Sequence, residues 1–515
     1  DKANIQTNKY VWLIVSSFST YCFFRLIMIL IKTKMSVIWI WLTAFFYGFE
    51  IVYGILQLTG LLDSGSHIFA ITGSFANAGP FGGLLTLCIC SFLPLLRTDR
   101  IKGVLRIIIY IEVILSFSLI LPANSRAAIL ALIVSLLLMA YASDSVRQKM
   151  RDNKKLVIAI FVALVALGVF GYYIKKPSAD GRLFAARRSV AIMVSNRGKG
   201  VGLANYSKSY AKEKVRYLSR IMEDDAEGLK WQNISESERM NCGNSLNVYN
   251  DYLQIGVECG FIPMLLFCII CCVVAFFSYK ARNTWSYPFI ALCVFANFSY
   301  PMMTSELRTL FIVLLCLCVN TSDKEKNLYH KISLSVALAG TILFIWNKRV
   351  DFFHYSQSNK MYLDMFYRTK DDANEFYNAA ESMYYDLDDN FNFLLEYGKC
   401  LYHNKEYDKS ISELKRCADV YADPNIVGLI GDNYCKKGEY DKAEEYYRQS
   451  FMMEPNLIRP LYNLARLYLK EGDTARFYTI YDVSRGFVPK KESDRTGGIR
   501  IALDNLYQEI SNNNK

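Results

Sequence analysis

The longest polar interruption in this largely apolar chain begins with the stretch SADGRLFAARRSVAIMVSNRGKGVGLANY (178–206) and ends with the stretch NVYNDYLQIGVECGF (247–261). The first stretch places arginines beside a glycine-rich turn. The second offers amide and carboxylate side chains just before the chain re-enters an apolar run. Arginine forks bind anionic oxygens well. A loop of this composition between apolar segments therefore predicts chemistry on an anionic substrate.

Composition divides the 515 residues into two parts. Hydrophobic residues make up 52%, and the apolar runs recur over 1–346, which predicts an all-α, polytopic membrane domain. Residues 347–515 are charged and Tyr-rich, as in a soluble helical domain. The net charge of +11 does not indicate a nucleic-acid partner, because much of the Lys and Arg lies in short loops between apolar runs.

Windows of about 17–22 apolar residues predict about ten spans. They lie near 10–31, 37–58, 79–96, 104–121, 125–142, 156–174, 261–278, 286–302, 305–319 and 332–346. The basic connections all fall on one side of these spans, which is the cytoplasmic side by the positive-inside trend. The 175–260 loop and everything after 347 are then outside. Because the chain begins at Asp1, we also expect sequence upstream of it.

The cysteines do not predict a metal site. Most of the 14 lie inside apolar runs, where they act as small hydrophobic residues. The cluster Cys268, Cys271 and Cys272 has no histidine or second pair to complete a zinc site. Cys400 and Cys417 are expected in a helical core, and a disulfide between them across a helical hairpin stays open.

Beyond the apolar part, the sequence repeats with a period of about 33–34 residues, the length of a tetratricopeptide repeat. The units begin YGKCLYHNKEYDKS (397–410), IGDNYCKKGEYDKA (430–443) and LARLYLKEGDTARF (464–477). Gly398, Gly431 and Ala465 share one small-residue position where paired helices touch. We predict a linker over 347–369, a repeat domain over 370–485, and a C-terminal helix and tail over 486–515. Such repeats bind a protein partner or brace the membrane domain.

Two patches precede the loop on the outer side. In ITGSFANAGPFGG (71–83), Asn77 supplies a neutral donor and acceptor at the mouth of a helix. The alternative is a tight loop entering the membrane. In LPANSRAAILAL (121–132), Arg126 lies in the first turn of a span. The ordinary interpretation is an arginine that snorkels to the membrane interface. Because the positive-inside trend disfavours basic residues at the outer interface, we favour a functional role for Arg126.

The loop itself carries two further patches. Arg182, Arg187 and Arg188 lie on a predicted amphipathic helix that ends at a glycine turn containing Lys199, Gly200 and Gly202. Arginines and glycine-turn amides bind phosphate oxygens, although a basic amphipathic helix also contacts lipid headgroups.

The segment that closes the loop supplies the groups expected to handle a sugar. Asn250, Tyr252 and Glu258 can hydrogen-bond sugar hydroxyls, and Asp251 is the best-placed carboxylate for proton removal. The alternative is an interfacial polar and aromatic belt.

In order and spacing, GSFANAGPFGGLL, NSRAAILAL, GRLFAARRSVAIMVSNRGKGVGLANY and YNDYLQIGVECGFIP resemble the superfamily of O-antigen ligases and O-antigen polymerases, which includes bacterial protein O-oligosaccharyltransferases. The resemblance covers about 60–320. It implies a glycosyltransferase of the Gram-negative inner membrane that takes a glycan from undecaprenyl diphosphate on the periplasmic face. The acceptor hydroxyl belongs to lipid A–core, a growing chain or a protein, and no nucleotide sugar, metal or other cofactor is required.

The resemblance assigns roles to individual residues. Arg126 and Arg182 match the family's arginines and would hold the diphosphate, with Arg187 and Arg188 assisting. Tyr249, Asn250 and Asp251 would address the acceptor. The family commonly has histidine where this chain has Tyr249, and a tyrosine with an ordinary pKa near 10 is a poor base. Four possibilities stay open. His67 takes the place of that histidine in space, the chain relies on Asp251, the chain belongs to a subfamily in which tyrosine suffices, or the protein is inactive.

Among these activities we expect O-antigen ligation, with polymerisation and protein glycosylation as alternatives. Two rivals belong to other classes: a transporter of lipid-linked oligosaccharide and an inactive scaffold that recruits partners through its repeats. A transporter would need several charges deep within spans, and few are present.

Overall fold

The protein is described by a computed structural model over residues 5–30, 35–66, 68–98, 101–174, 176–222, 234–319, 328–368, 373–490 and 492–513. Every regular element in these ranges is helical, as the sequence predicted. The first part contains α1 (Ile5–Leu30), α2 (Met35–Leu58), α3 (Ala78–Leu96), α4 (Gly103–Leu119), α5 (Arg126–Tyr141), α6 (Asp144–Asp152) and α7 (Lys154–Ile174).

The polar interruption is itself helical. It forms α8 (Lys176–Ser195), α9 (Tyr206–Met222), α10 (Glu236–Asn241) and α11 (Asp251–Glu258). The chain then returns to apolar helices, α12 (Phe261–Lys280), α13 (Ser286–Ala296) and α14 (Ser305–Cys318), followed by the long helix α15 (Leu328–Arg368).

Helix α3 is the centre of the apolar part. Nearly all of its residues are buried, and it packs against α2, α4, α5 and α13. Two of its glycines allow this close approach: a Cβ on Gly82 would come within 2.6 Å of Ser125 Cβ, and one on Gly83 within 2.8 Å of the Phe295 ring. This packing fixes the start of α5, where Arg126 lies.

The number of spanning helices differs from the expected ten. In the described ranges, three helices are long and apolar enough to cross a membrane, Ile38–Leu58, Ala78–Leu96 and Phe261–Lys280. The bent pair α5 and α6 makes a fourth if it is one span. Hydropathy windows overcount here because polar turns and caps end the helices early: α13 has 11 residues and α14 has 14.

Several apolar helices present bare hydrophobic faces. On α12, Ile262 is 69% exposed and Phe277 is 61% exposed. Helices α4 and α7 likewise expose large aliphatic and aromatic side chains along their length. Exposed apolar surface that extends along several helices indicates an interaction with lipid or protein.

The segment predicted as a linker is not an irregular connection. Up to Arg368 it belongs to α15, whose 41 residues correspond to a rod of about 61 Å. α15 packs against α1 at one end and against the repeats at the other. Residues 369–372 lie outside the described ranges.

The repeat part consists of antiparallel helix pairs. Its helices are α16 (Ala373–Leu387), α17 (Phe391–His403), α18 (Tyr407–Val420), α19 (Pro424–Lys437), α20 (Tyr440–Met453), α21 (Arg459–Glu471), α22 (Thr474–Arg485) and α23 (Asp494–Asn513). Left-handed glycines follow two first helices: Gly438 has φ of 80° and Gly472 has φ of 77°.

The predicted close contact between paired helices is confirmed. A Cβ on Gly398 would come within 2.7 Å of Leu414, and one on Gly431 within 2.6 Å of Tyr447. Cys400 and Cys417 are buried but free, so the open possibility of a disulfide between them is not realised.

Candidate functional site

The turn that follows α13 gathers side chains from two distant parts of the loop. Arg182 of α8 donates a hydrogen bond from Nη1 to the carbonyl oxygen of Phe298 over 2.8 Å. Asn250, just before α11, donates from Nδ2 to the carbonyl oxygen of Asn297 over 3.0 Å. The two polar stretches that bound the loop are therefore brought to one place.

Arg182 is the charged centre of this site. Its guanidinium carbon lies 4.8 Å from the centroid of the Tyr249 ring, which is close enough for a cation–π interaction. Burial lowers the pKa of Arg182, and the neighbouring charge of Arg126 lowers it further. An arginine stays protonated under such a shift. Two positive groups that repel each other in partial burial favour binding of an anion between them.

Arg126 reaches the site from the start of α5. Its Nη1 donates to the carbonyl oxygen of Gly171 in α7 over 2.7 Å. This bond uses one of the five N–H groups of the guanidinium. The side chain is half-buried, and its bond to Gly171 holds it against α7.

Tyr249 has a left-handed backbone conformation, with φ of 57°. Such values are uncommon for residues other than glycine, and here the conformation lets the ring lie over Arg182. Tyr300, in the turn after α13, packs edge-on against Tyr249 with ring centroids 5.4 Å apart. Sequence reasoning missed Tyr300, because it stands alone in a short turn between apolar runs.

Asn77 joins the site through Tyr300. Its Oδ1 accepts from the backbone N–H of Gly79 over 3.0 Å and caps α3, and its side chain lies beside Tyr300. The loop before it is held to α2, where Glu50 accepts from the backbone N–H of Ser74 over 3.0 Å. Asn77 is therefore fixed at the edge of the aromatic pair.

Asp251 is buried behind the site rather than exposed in it. It is 1% exposed, and its Oδ2 accepts from the backbone N–H of Met302 over 2.9 Å. Its Oδ1 is buried without a hydrogen-bond partner. Burial raises the pKa of this carboxyl to about 8. The geometry gives Asp251 a role in holding the turn that carries Tyr300.

Asn250 and Tyr252 also have structural contacts. Asn250 Oδ1 caps α11 by accepting from the backbone N–H of Leu253 over 2.9 Å. The Tyr252 hydroxyl donates to the carbonyl oxygen of Cys293 in α13 over 3.0 Å. Asn250 lies at the site, whereas the hydrogen bond of Tyr252 holds α11 against the apolar helix α13.

The other two arginines of α8 point in different directions. Arg187 is exposed. Arg188 turns toward α9, where its Nη1 lies 3.6 Å from Glu213 Oε1 and its guanidinium 3.8 Å from the centroid of the Tyr217 ring. Of the three arginines on this helix, the structure places Arg182 beside Tyr249 and commits Arg188 to packing.

The apolar residues of α8 are divided between the protein core and the surface. Phe184 and Ile192 are buried, whereas Leu183 and Val190 are exposed. The physical reason is that α9 and α11 cover one side of α8, so part of its apolar surface enters the protein core.

The glycine turn packs against the protein rather than leaving its amides free. The backbone N–H groups of Val201 and Gly202 donate to the carbonyl oxygens of Val257 and Glu258 over 2.8 and 3.0 Å. A Cβ on Gly200 would come within 2.3 Å of the Glu258 carbonyl oxygen. The turn thus joins α8 to the end of α11, and Lys199 projects from it as an exposed side chain.

Glu258 supports the same junction. Gln254 Nε2 donates to its Oε1 over 2.7 Å, and the backbone amides of Ala204 and Tyr206 lie beside its carboxyl group. Burial raises the pKa of Glu258 to about 7. Its carboxyl therefore holds the start of α9 and faces the protein interior.

In the described ranges, no group of three His, Cys, Asp or Glu residues is arranged to hold a metal ion. His67, a suggested substitute base, lies outside those ranges. The groups that meet at the site are two arginines, two tyrosines and two asparagines. They can bind an anion such as a diphosphate and hydrogen-bond a hydroxyl beside it.

Comparison with known proteins bears on the repeat part. The tetratricopeptide repeat family matches residues 425–457, which contain α20, so the chain carries a repeat of this type near its C-terminus. The chain is 31% identical over 86 residues to the photosystem I assembly protein Ycf3 of Acaryochloris marina, covering 17% of this chain and 49% of that protein. It is 29% identical over 111 residues to Ycf3 of Rippkaea orientalis, covering 21% of this chain and 64% of that protein.

The chain thus spans about half to two-thirds of the length of these relatives. None of these matches supports the resemblance to O-antigen ligases, which stays a hypothesis.

Proposed function

We propose that the protein transfers a glycan from undecaprenyl diphosphate to an acceptor hydroxyl. The observation that carries this proposal is the contact of Arg182 with the Tyr249 ring at 4.8 Å, with Arg126 near enough for its charge to lower the pKa of Arg182. The three residues come from three separate parts of the chain. A pair of partly buried arginines matches the charge of a diphosphate. The neighbouring tyrosines and Asn250 offer hydrogen bonds to hydroxyl groups.

In this proposal the acceptor oxygen attacks the anomeric carbon as the bond from that carbon to the diphosphate oxygen breaks. The configuration inverts, the hydroxyl proton is released, and undecaprenyl diphosphate departs with an added negative charge. Arg126 and Arg182 stabilise that charge, which grows in the transition state. Arg187 is free to assist with the carrier.

The remaining candidates act around this reaction. Tyr249, Tyr300 and Asn250 orient the acceptor, and Asn77 holds Tyr300. Asp251 acts as a positioning residue, because its buried carboxyl is engaged with the backbone N–H of Met302. Arg188, the glycine turn and Glu258 maintain the shape of the loop.

We further propose that the apolar helices lie in a bacterial inner membrane, with the loop and repeats in the periplasm. The exposed apolar faces of α4, α7 and α12 support this placement.

Turnover by purified full-length protein tests the proposal. The protein is given undecaprenyl-diphosphate glycan and lipid A–core, and the glycosylated acceptor is separated by gel electrophoresis. Formation of product without added metal or nucleotide sugar is expected. A failure to transfer to lipid A–core, to a second glycan unit and to acceptor protein alike would reject glycan transfer.

We favour O-antigen ligation among the related activities, and gene deletion separates them. Loss of the lipopolysaccharide ladder with accumulation of carrier-linked polymer indicates a ligase. Lipopolysaccharide with a single repeat unit indicates a polymerase. An unchanged ladder with lost glycoproteins indicates a protein oligosaccharyltransferase.

A second candidate function is recruitment of a protein partner by the repeats. The tetratricopeptide match and the similarity to proteins named for photosystem I assembly favour it. Three basic residues, Lys436, Arg459 and Arg466, surround Asp432 on the first helices of the repeats. A face with this charge would suit an acidic segment of a partner.

Binding of a glutamate-rich peptide to the full-length protein tests this second function. We expect Arg466→Glu to weaken binding measured by fluorescence anisotropy, and Arg485→Glu, on the second helix α22, to leave it unchanged. Equal binding by both variants would reject the basic face as the site.

A further inference from the structure

Helix α9 joins the arginine helix α8 to the repeat domain. It packs against α8 on one side and against α18 and α20, the second helices of two repeats, on the other. Buried apolar side chains of the loop and of the repeats form one continuous core. From the loop this core includes Tyr206, Tyr210, Leu218 and Met222, and from the repeats Leu414, Tyr447, Phe451 and Met452.

Lys214 makes a fully buried polar contact between α9 and the repeats. This side chain is 0% exposed. Its Nζ donates to the carbonyl oxygen of Met453 over 2.6 Å and to that of Gly243 over 3.0 Å. Met453 is the last residue of α20, where carbonyl groups have no partner within the helix and the helix dipole favours a positive charge.

The residue before Lys214 contacts α8. Glu213 Oε1 lies 3.6 Å from Arg188 Nη1, and its other carboxylate oxygen pairs with Arg216 on α9 itself. Arg188 and Arg182 are less than two turns apart on the same helix. Two consecutive residues of α9 therefore connect the end of α20 to the helix that carries the charged centre of the site.

Further contacts extend the same interface on either side of Lys214. Asn244 donates from Nδ2 to the carbonyl oxygen of Ala422 over 2.9 Å, and Lys208 pairs with Asp419 of α18. The guanidinium of Arg239 lies 5.0 Å from the centroid of the Phe487 ring. The repeats thus contact the loop along its middle portion, and α9 is not a free surface helix.

We infer that the repeat domain positions Arg182 through α9, with Lys214 and Glu213 as the positioning residues. The repeats hold α9 by the Lys214 contact, and α9 holds α8 by the pair of Glu213 and Arg188. The mechanical part of this inference stands on the contacts alone. Its effect on turnover rests on the proposed glycan transfer.

Hydrogen exchange of the full-length protein tests the mechanical part. In Lys214→Met the ammonium bonds to two carbonyl groups are lost, and we expect exchange across residues 182–195 to rise about tenfold. The matched control is Lys208→Ala, on the same helix and against the same domain, but in a partly exposed pair of small energetic value. We expect this control to leave exchange in α8 unchanged.

A second variant serves if Lys214→Met does not fold. Glu213→Gln keeps the shape of the side chain and leaves the Lys214 contacts in place. We expect faster exchange in α8 but unchanged exchange at the end of α20. If both variants fold, unchanged hydrogen exchange in α8 of both would overturn the inference. If Lys214→Met does not fold, unchanged exchange in α8 of Glu213→Gln would overturn it.

Turnover of the same variants separates this inference from the proposed function. We expect Lys214→Met to raise the KM for the lipid-linked donor, because a displaced Arg182 binds the diphosphate less well. If α8 loosens in Lys214→Met but Arg182→Ala transfers normally, the proposed function fails and the coupling stands. If Arg182→Ala is inactive while α8 is unchanged in both positioning variants, the coupling fails and the function stands.

Discussion

The guanidinium of Arg182 lies over the ring of Tyr249, 4.8 Å from its centroid, although the two residues come from opposite ends of the loop. The contact closes the loop over the turn after α13. The Tyr249 ring also shields one face of the guanidinium, and Nη1 of Arg182 donates to the carbonyl oxygen of Phe298. The charge is thereby held in one orientation, as a clamp for a diphosphate requires.

Removing the Tyr249 ring should weaken donor binding. A cation–π contact contributes about 0.5–2 kcal/mol, so we expect Tyr249→Ala to lower affinity for undecaprenyl diphosphate by about 2- to 30-fold. Tyr249→Phe keeps the ring and should bind within about threefold of the wild type. Titration of the detergent-solubilised protein with the carrier measures both. A phenylalanine variant as weak as the alanine variant would show that the hydroxyl, not the ring, is required.

Tyr249→His tests whether the tyrosine works in this protein. Histidine tolerates the left-handed conformation of this position better than most residues and keeps an aromatic ring over Arg182. We expect a working enzyme to lose turnover with this change, because Tyr300 and Asn77 are arranged around a tyrosine. A gain from no activity would instead indicate an inactive descendant of the family.

Gly200→Ala should disturb the junction between α8 and α11. A Cβ at this position would come within 2.3 Å of the Glu258 carbonyl oxygen and 2.6 Å of the Cys259 carbonyl carbon, both backbone atoms that cannot rotate away. We expect a thermal unfolding midpoint lowered by several degrees. Gly181→Ala is the matched control, because a Cβ there meets nothing within 4 Å. Equal stability of the two variants would contradict this account of the turn.

Asp251 should make stability depend on pH. Burial raises its pKa in the folded protein to about 8, so the folded state keeps a proton that the unfolded state has lost at intermediate pH. The favourable contribution is full below about pH 4 and is lost as the pH rises through about 8. Asp251→Asn, which cannot ionise, should therefore gain stability relative to the wild type between pH 5 and pH 8.

Thermal unfolding at the two pH values measures this difference. Asp251→Ala is the contrasting variant, because it leaves the backbone N–H of Met302 without its acceptor and should cost about 1–3 kcal/mol at either pH. A constant difference between wild type and Asp251→Asn across the range would show that the carboxyl does not carry a proton in the folded state.

The sequence predicted the parts of the molecule that have a period or a compositional boundary. The small residues Gly398 and Gly431 marked the contacts between paired helices, and the polar interruption marked the loop. The structure brings Arg182 and Asn250 to the same turn after α13, and the family resemblance itself stays a hypothesis. Whether they catalyse transfer stays a prediction.

Other features have no local signal in the sequence. In the sequence, Lys214 is one of several cations in the polar segment YSKSYAKEKVRYLSRIM (206–222). Its burial depends on the end of α20, more than two hundred residues later in the chain. Asp251 looked available for proton removal because sequence does not show which side of α11 faces the core. The spans were overcounted because apolar windows extend through the turns at which the helices end.

Transfer by Arg182→Ala tests the central claim most directly. Purified full-length variants are given undecaprenyl-diphosphate glycan and acceptor, with Arg220→Ala as the control because this arginine is exposed on α9 of the same loop. We predict that Arg182→Ala lowers turnover by about 100- to 1,000-fold, as loss of a group that stabilises transition-state charge does, and that Arg220→Ala stays within a few-fold of the wild type. A folded Arg182→Ala variant with unimpaired transfer would contradict the account.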